Sequence, residues 1–431
     1  MNVEVLMMKR KSSIWKNPDY IKFFSANALS NLGNWFDFIA VLILFRYTWN
    51  AEPMLIAFIP VMYAIPSTLF GQLAGVLADR KDKLRILIYS DWIRGALTLL
   101  LVFVSSPFWA LLVLLFRNTV GVVGLPAQQG LMRKIVDEEH IMKAVTINGS
   151  LLQLVKVVGP LIGGSVSGVF TPDISIAVNA ASFFISGIIF SMITKKNHMK
   201  PEEVSGEIQF FRLWTEGWEL VLKNRILLVS ILYGMIITLT IQMIDAQFVT
   251  LFSELFPEKP EMTGWTISVI GVGALLAVLV LTKKETIDRY GWFFGSGSLM
   301  IGIMAGGLGF LNSESPLTIG LFFAFIGGIG TGITLTAVNY MIQKEPPREV
   351  IGRVSGIVDS MLSILFIAGP LLGGVLIQQL GVVLVFRGIG VVIFLLGMVG
   401  IVFQQIIWKK EKSFSIDEQS DTKRELKKEV N

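Results

Sequence analysis

The chain has 431 residues, of which 53% are hydrophobic and only 16% charged, and its mean hydropathy is +0.66. A soluble protein of this length carries about 25% charged residues, so most of this chain is solvated by lipid. Cysteine is absent and both histidines, His140 and His198, fall in polar loops, which excludes disulfides, thiolate chemistry and a histidine proton relay or metal site inside a membrane.

A spanning helix needs about 20 apolar residues. Runs of that length lie at 20–46, 53–78, 84–105, 107–127, 144–169, 174–194, 226–252, 263–282, 291–311, 316–340, 352–377 and 382–408. The predicted fold is therefore an all-α integral membrane protein with twelve transmembrane helices. No cleavable signal peptide is expected, because the basic N-terminal arm lacks an apolar core followed by a small-residue cleavage site.

In chain order, the first helix carries Asn27, Asn31, Asn34 and Asp37 on one face. That stripe either lines a cavity or joins helices to one another. Between helices 2 and 3 lies a knot of charge, Gly75 through Arg85, with Asp79 and Arg80 at its centre. Charge is costly in hydrocarbon, so the knot belongs at a membrane surface. There it acts as a latch between moving parts or simply as a topology signal. Asp91 and Arg94 in helix 3 are spaced to pair with each other or with this loop. Arg117 falls near the middle of helix 4, and Lys156 slightly past the middle of helix 5.

Helix 5 then reads Gly159-Pro160-Leu161-Ile162-Gly163-Gly164, a candidate hinge or seal because glycine permits close packing and proline removes a helix hydrogen bond. Residues 195–225 form a polar stretch with Phe210, Phe211, Trp214 and Trp218, either a surface amphipathic helix or a solvated linker. Asp245 lies toward the outer end of helix 7, a candidate outer gate, and Asp359 near the inner end of helix 11. The charged tail from 409 to 431 is expected to be disordered.

Lys and Arg recur in the N-terminal arm and in alternate loops, whereas the opposite loops nearly lack them. The positive-inside rule then places both termini in the cytoplasm. The pI near 9.2 reflects these scattered loop residues, so no nucleic-acid partner is expected.

The chain also repeats itself. Gly159-Pro160-Leu161-Ile162-Gly163-Gly164 matches Gly369-Pro370-Leu371-Leu372-Gly373-Gly374 at an offset of 210, Asp79-Arg80 matches Asp288-Arg289 at 209, and Asp37 matches Asp245 at 208. The predicted organisation is a six-helix bundle over 1–194, a linker over 195–225, a second bundle over 226–408 and a tail. Parallel repeats of this kind build transporters whose halves rock about a midplane site.

On these residues the chain resembles the major facilitator superfamily over essentially its whole length. Gly75–Arg85 resembles the superfamily's loop signature between helices 2 and 3, with Asp82 where a glycine is usual and Leu84 in place of one basic residue. Arg117 followed by Gly121 resembles its helix 4 signature. The Gly159-Pro160 run resembles the helix 5 signature of drug/proton antiporters, with Val155 where a small residue is usual. Asn17-Pro18-Asp19-Tyr20, Pro126-Ala127 and Glu216-Gly217-Trp218 resemble the branch of macrolide efflux proteins and enterobactin exporters.

The resemblance implies a bacterial cell-membrane exporter, a gating role for the Gly75–Arg85 loop and its echo at Asp288 and Arg289, and a link of Arg117 to proton coupling. From the residues themselves, Asp37 is the candidate proton carrier, since burial raises a carboxyl pKa and a nearby cation lowers it. Asn27, Asn31, Asn34, Asp37, Lys156 and Asp245 are candidate cavity residues. Gly159, Pro160, Gly163, Gly369, Pro370 and Gly373 are candidate hinge or seal positions. The expected activity is proton-driven export of amphipathic small molecules. The alternative is a dedicated exporter of one metabolite such as a siderophore, which Lys156 and Arg117 would suit if the cargo is anionic. The expected partners are a small-molecule substrate, protons and the lipid bilayer, with no cofactor or metal, and the expected state is a monomer. An enzyme is disfavoured because no nucleophile–base motif stands out, and no Walker-type nucleotide loop is present.

Overall fold

The computed structural model describes residues 13–194, 218–283, 289–347 and 350–408. The amphipathic stretch over 195–217, Asp288 and the tail over 409–431 lie outside the described residues. Twelve helices are long and apolar enough to cross a membrane. They are α1 (Pro18–Thr48), α2 (Pro53–Arg80), α3 (Lys83–Phe103), α4 (Pro107–Ile135), α5 (Glu138–Val169), α6 (Pro172–Ser191), α7 (Arg225–Asp245), α8 (Met262–Leu281), α9 (Tyr290–Gly309), α10 (Leu317–Lys344), α11 (Ile351–Leu380) and α12 (Val382–Val402). The described residues contain no β-strand, as expected where every backbone polar group must be satisfied within its own segment.

Local chemistry sets the helix starts. Pro18, Pro53, Pro107 and Pro172 occupy first-turn positions, where a missing N–H costs nothing. The Asn17 side chain caps α1, accepting from the backbone N–H groups of Asp19 (3.0 Å) and Tyr20 (3.1 Å). It also donates to the Ile135 carbonyl at the end of α4 (2.7 Å). Asp82 caps α3 in the same way, accepting from Leu84 N (3.0 Å) and Arg85 N (3.3 Å). An aspartate where glycine is usual thus serves as the start signal of the next helix.

One expected helix divides. The apolar run 226–252 stops at Asp245, and a separate short helix, Phe248–Leu255, follows. The 21 residues of α7 already span about 30 Å, the thickness of bilayer hydrocarbon. The remaining apolar residues fold over the end of the bundle instead of lengthening the span.

Helices α1–α6 and α7–α12 form two bundles with matching internal partners: α1 packs on α5 as α7 packs on α11, and α3 packs on α6 as α9 packs on α12. Between the bundles the main contacts are α5 with α8 and α2 with α11, which exchange under the same repeat. These contacts gather at the end of the molecule opposite the termini. There one buried cluster draws Ile39–Phe45, Ala51, Ile56 and Ile59 from the first half together with Ala246 and Val249 from the second.

Polar bonds join the same end. Arg46 donates to Ser253 Oγ (2.7 Å) and lies 3.7 Å from Glu254. Gln247 donates to the Pro53 carbonyl (2.9 Å), Gln378 to Glu52 (2.8 Å) and Trp265 to Ser165 (2.9 Å).

The termini-bearing end is different. Its buried clusters do not mix the halves: one is built around Tyr20, Phe23, Leu87, Leu131 and Phe190 of the first half, and another includes Ile226, Leu227, Tyr290 and Trp408 of the second. Gly71 and Gly75 on α2, Gly149 on α5, and Gly352 and Gly356 on α11 have no atom where a side chain would stand. The two halves are closed on one another at one end and parted at the other.

Candidate functional site

The charged residues of the first half converge under the closed end. Arg117 on α4 and Asp37 on α1 are both fully buried and form an ion pair, Nη1 to Oδ2, at 2.6 Å. Arg117 Nη1 also donates to Thr98 on α3 (3.4 Å), and Nη2 donates to the hydroxyl of Tyr63 on α2 (2.5 Å). The Tyr63 hydroxyl in turn donates to Asp37 Oδ2 (3.4 Å). Four helices therefore meet at one ion pair. Its polar capacity is only partly used: Asp37 Oδ1 and Arg117 Nε are buried with no hydrogen-bond partner among the described residues. A buried pair of this kind is balanced, but removing one member strands a charge and costs about 3–5 kcal/mol.

A second pair lies beside it. Arg94 on α3 is 3.4 Å from Asp91 and donates to Asn34 on α1 (2.8 Å). Its guanidinium stands 4.1 Å over the Phe183 ring of α6. Ser186 on α6 donates to Asp91 (2.6 Å). Arg94 is also close enough to Arg117, Asp37 and Tyr63 to interact electrostatically. A side chain at Gly121 would come within 3.3 Å of Arg94 Nε. The glycine four residues after Arg117 thus leaves room for the second arginine.

The asparagine stripe on α1 points mainly into the bundle. Asn27 is 4% exposed and receives a bond from Asn31 (2.6 Å) while donating to Asn148 on α5 (3.4 Å). Asn34 is committed to Arg94 and Asp37 to Arg117. The stripe joins helices, and its partly exposed members are Asn31 and Asn34.

Lys156 stands apart. It is exposed on α5, with its backbone carbonyl beside Gly271 of α8. Asp245, the repeat counterpart of Asp37, is half-buried at the end of α7 and has no hydrogen bond or ion pair to the described residues. Asp359 is exposed near the open end of α11. Among the described residues no cluster of His, Cys, Asp and Glu could hold a metal ion.

The charged hairpin forms ion pairs within itself, and the Lys83 stem packs against Gly130 of α4. Lys83 lies 4.0 Å from Asp79, Arg85 lies 3.9 Å from Asp82, and Arg80 is exposed. No atom stands where a side chain at Gly75 would be, because this end of the halves is parted. Arg289 stands exposed just before α9.

The Gly-Pro runs divide their labour within each Gly-Gly pair. Gly163 packs against Phe36 and Gly373 against Met243, each inside its own half, and Gly159 and Gly369 do the same against Trp35 and Gln242. The second glycine of each pair faces across: Gly164 abuts Gly264 of α8, and Gly374 abuts Met54 and Ala57 of α2. The carbonyl of Pro160 also meets Gly264, while the ring of Pro370 is buried within α11. Sequence reasoning missed Gly164, Gly374 and Tyr63. For the glycines the doubled Gly-Gly in both repeats was the available signal; for Tyr63 there was only a hydroxyl in an apolar helix.

A family model for the Major Facilitator Superfamily matches residues 23–365 and 260–428. Among curated relatives, the chain is 28% identical to the uncharacterised MFS-type transporter YfiS of Bacillus subtilis (strain 168), covering 89% of this chain and 92% of that protein. It is 23% identical to macrolide efflux protein A of Streptococcus pyogenes (77% and 83%) and 24% identical to the staphyloferrin A transporter of Staphylococcus aureus strain NCTC 8325 (67% and 73%). Its fold resembles the crystal structure of the nucleoside transporter NupG with a TM-score of 0.71 at 12% identity, covering 90% of this chain and all of that one. With twelve spanning helices in two matching bundles and a family match across nearly its whole length, the chain belongs to the Major Facilitator Superfamily and is a multi-pass membrane transporter of small molecules rather than an enzyme.

Proposed function

We propose that this transporter exports amphipathic small molecules in exchange for protons, and that its two halves rock to expose the cargo site to one side of the membrane at a time. Both termini are cytoplasmic in this reading, since six polar segments on their side carry the Lys and Arg excess. The parted end then faces the cytoplasm, and the described conformation is inward-open. The observation that carries the proposal is the buried Asp37–Arg117 pair, placed just beneath the closed end with one carboxylate oxygen unpartnered. A group so enclosed changes its proton affinity when the closed end opens to water or when its cation turns away. In this inward-open state Asp37 has given its proton to the cytoplasm and pairs with Arg117 as cargo binds. Opening toward the outside then releases the cargo, Asp37 takes up a proton from that side and frees Arg117, and the return inward completes one exchange.

The similarity to macrolide efflux protein A supports an amphipathic drug-like cargo. The similarity to the staphyloferrin A transporter, together with exposed Lys156, supports a second reading in which the cargo is one anionic siderophore.

The test is uptake into inside-out vesicles under an imposed pH gradient, with a macrolide and with a carboxylate siderophore as alternative cargoes. Gradient-driven accumulation of one cargo that is lost in Asp37→Asn is the expected result. Equal accumulation by Asp37→Asn rejects proton exchange through this residue. Accumulation of the siderophore alone establishes the second reading.

A further inference from the structure

We propose that Tyr63 is the positioning residue through which the protonation state of Asp37 moves α2, the helix that docks the first half onto the second. The inference rests on the proton-exchange reading above and assigns it a transmission element.

Three observations meet on this one side chain. Tyr63 is hydrogen-bonded to both members of the buried pair, accepting from Arg117 and donating to Asp37. Its ring also lies edge-on to Phe38 of α1 at 5.3 Å between centroids. Toward the closed end, the same helix carries the contacts that hold the halves together. Met54 and Ala57 abut Gly374 of α11, Glu52 accepts from Gln378, and the Pro53 carbonyl accepts from Gln247. Toward the open end, Ser67 through Phe70, Gln72, Leu73, Val76 and Leu77 are exposed, leading into the Asp79–Arg80 hairpin.

Tyr63 sits between these regions on a short segment bounded by Pro60 and Pro66, both inside the helix. Each proline removes one backbone hydrogen bond and loosens the helix at its own position. Ser67 and Thr68 add to the second loose point by turning their hydroxyls onto the Ala64 carbonyl (2.9 Å each). The result is a jointed rod: one arm docked on α11, one arm packed only within its own half through Ala74 and Ala78, and a middle piece tied by Tyr63 to the ion pair.

When Asp37 is ionised, Arg117 is held between carboxylate and phenol, and the middle piece of α2 is fixed to α1 and α4. When Asp37 is neutral, Arg117 loses its strongest partner and the tie to Tyr63 loses its geometry. The docked arm of α2 is then no longer fixed to α1 and α4, so proton uptake biases which end of the molecule is open. The groups facing Asp37 are few. Tyr63 comes from α2, Arg94 with Asp91 from α3, and Arg117 from α4. In their membrane parts α5 brings only Lys156, which is exposed, and α8 brings no ionisable side chain; α6 brings Asp173 at its start. Tyr63 is the only one of these on a helix that docks directly on α11.

The test exploits the natural absence of cysteine. Single cysteines are placed at Gly75 and, separately, at Gly356, both open to space on the parted side. Their labelling rate by a membrane-impermeant maleimide is measured in inside-out vesicles across pH. The parent background is compared with Tyr63→Phe, which keeps the ring against Phe38 but removes the hydroxyl, and with Asp37→Asn. Rates are normalised to labelling of the denatured protein, so maleimide reactivity itself cancels.

The expected result is a pH-dependent change in the parent of about fivefold or more that is flattened in Tyr63→Phe and equally flattened in Asp37→Asn. The double variant should show no further loss, because both changes break one path. Full pH dependence retained in Tyr63→Phe but lost in Asp37→Asn overturns the role of Tyr63 and leaves proton exchange standing. No pH dependence in the parent overturns both. If Tyr63→Phe is poorly folded, judged by size-exclusion chromatography in detergent, Tyr63→Gln supplies a hydrogen-bonding group that does not itself titrate. The parent's pH dependence retained in that variant supports the proposal, and its loss in a well-folded Tyr63→Gln contradicts it.

Discussion

The two halves share a helix order and internal partners, yet they hold themselves together by different means. The first half is built around charge: Asp37, Arg117, Tyr63 and Thr98 in one group, and Asp91, Arg94, Asn34 and Ser186 in another. The second half is built around glycine. Gly302 meets Phe394 and Gly390, Gly330 meets Gly297, and Gly295 meets Gly397, so α9, α10 and α12 touch backbone to backbone. Small residues are an economical glue in lipid, where helices have no hydrophobic drive to associate. The contrast is sharpest at the repeated aspartates, since Asp37 is paired and sealed whereas Asp245 is half-buried with no cation beside it. A duplicated scaffold thus keeps its buried ion pairs in one half and packs the other through close glycine contacts.

The largest effect is expected from stranding a charge in the first half. Arg117→Leu should destabilise the protein by about 3–5 kcal/mol by leaving Asp37 uncompensated, read as lowered thermal stability in detergent. Combining it with Asp37→Leu should restore much of the loss without restoring transport. A double variant no more stable than the single would mean the pair is not the first half's organising contact.

Next in size is overpacking in the second half. A side chain at Gly302 would fall 2.6 Å from the Phe394 backbone nitrogen, so Gly302→Ala should cost about 1–3 kcal/mol. The same assay should find Gly75→Ala nearly neutral, because nothing faces it.

A smaller effect, with the opposite sign, is expected at Asp245. Removing a carboxylate that is partly desolvated and unpaired should stabilise the protein by about 1 kcal/mol, so Asp245→Asn should melt higher while Asp37→Asn melts lower. The smallest effect is expected at the hairpin, where Arg85→Ala removes a surface contact of 3.9 Å to Asp82. A pair of that kind is worth about 0.3 kcal/mol, within the noise of a melting curve.

The helix pattern was legible because hydrocarbon imposes a length and a composition on every span, and the parallel repeat was legible because Gly-Pro and Asp-Arg pairs recur at nearly one offset. Buried charge was legible for a similar reason: Asp37 and Arg117 are too costly in lipid to go unnoticed. Their shared role was legible too, but their direct ion pair was not, since it depends on how α1, α2 and α4 are rotated about their axes, which three loops and lipid contacts decide together. Tyr63 escaped notice because a tyrosine in an apolar helix is unremarkable until its hydroxyl is seen between two charges. The break after Asp245 was hidden because the residues on both sides are equally apolar, so hydropathy carries no boundary there. The unoccupied face of Gly75 follows from the conformation adopted, which no sequence pattern specifies.

The central claim is that proton chemistry resides in the first half, at Asp37, and not at its repeat counterpart. Purified protein in liposomes loaded with a pH-sensitive dye, challenged with cargo, measures it directly for Asp37→Asn and Asp245→Asn side by side. Cargo-driven proton movement should fall about tenfold or more in Asp37→Asn and stay within about twofold of the parent in Asp245→Asn. Proton movement preserved in Asp37→Asn and lost in Asp245→Asn would contradict it.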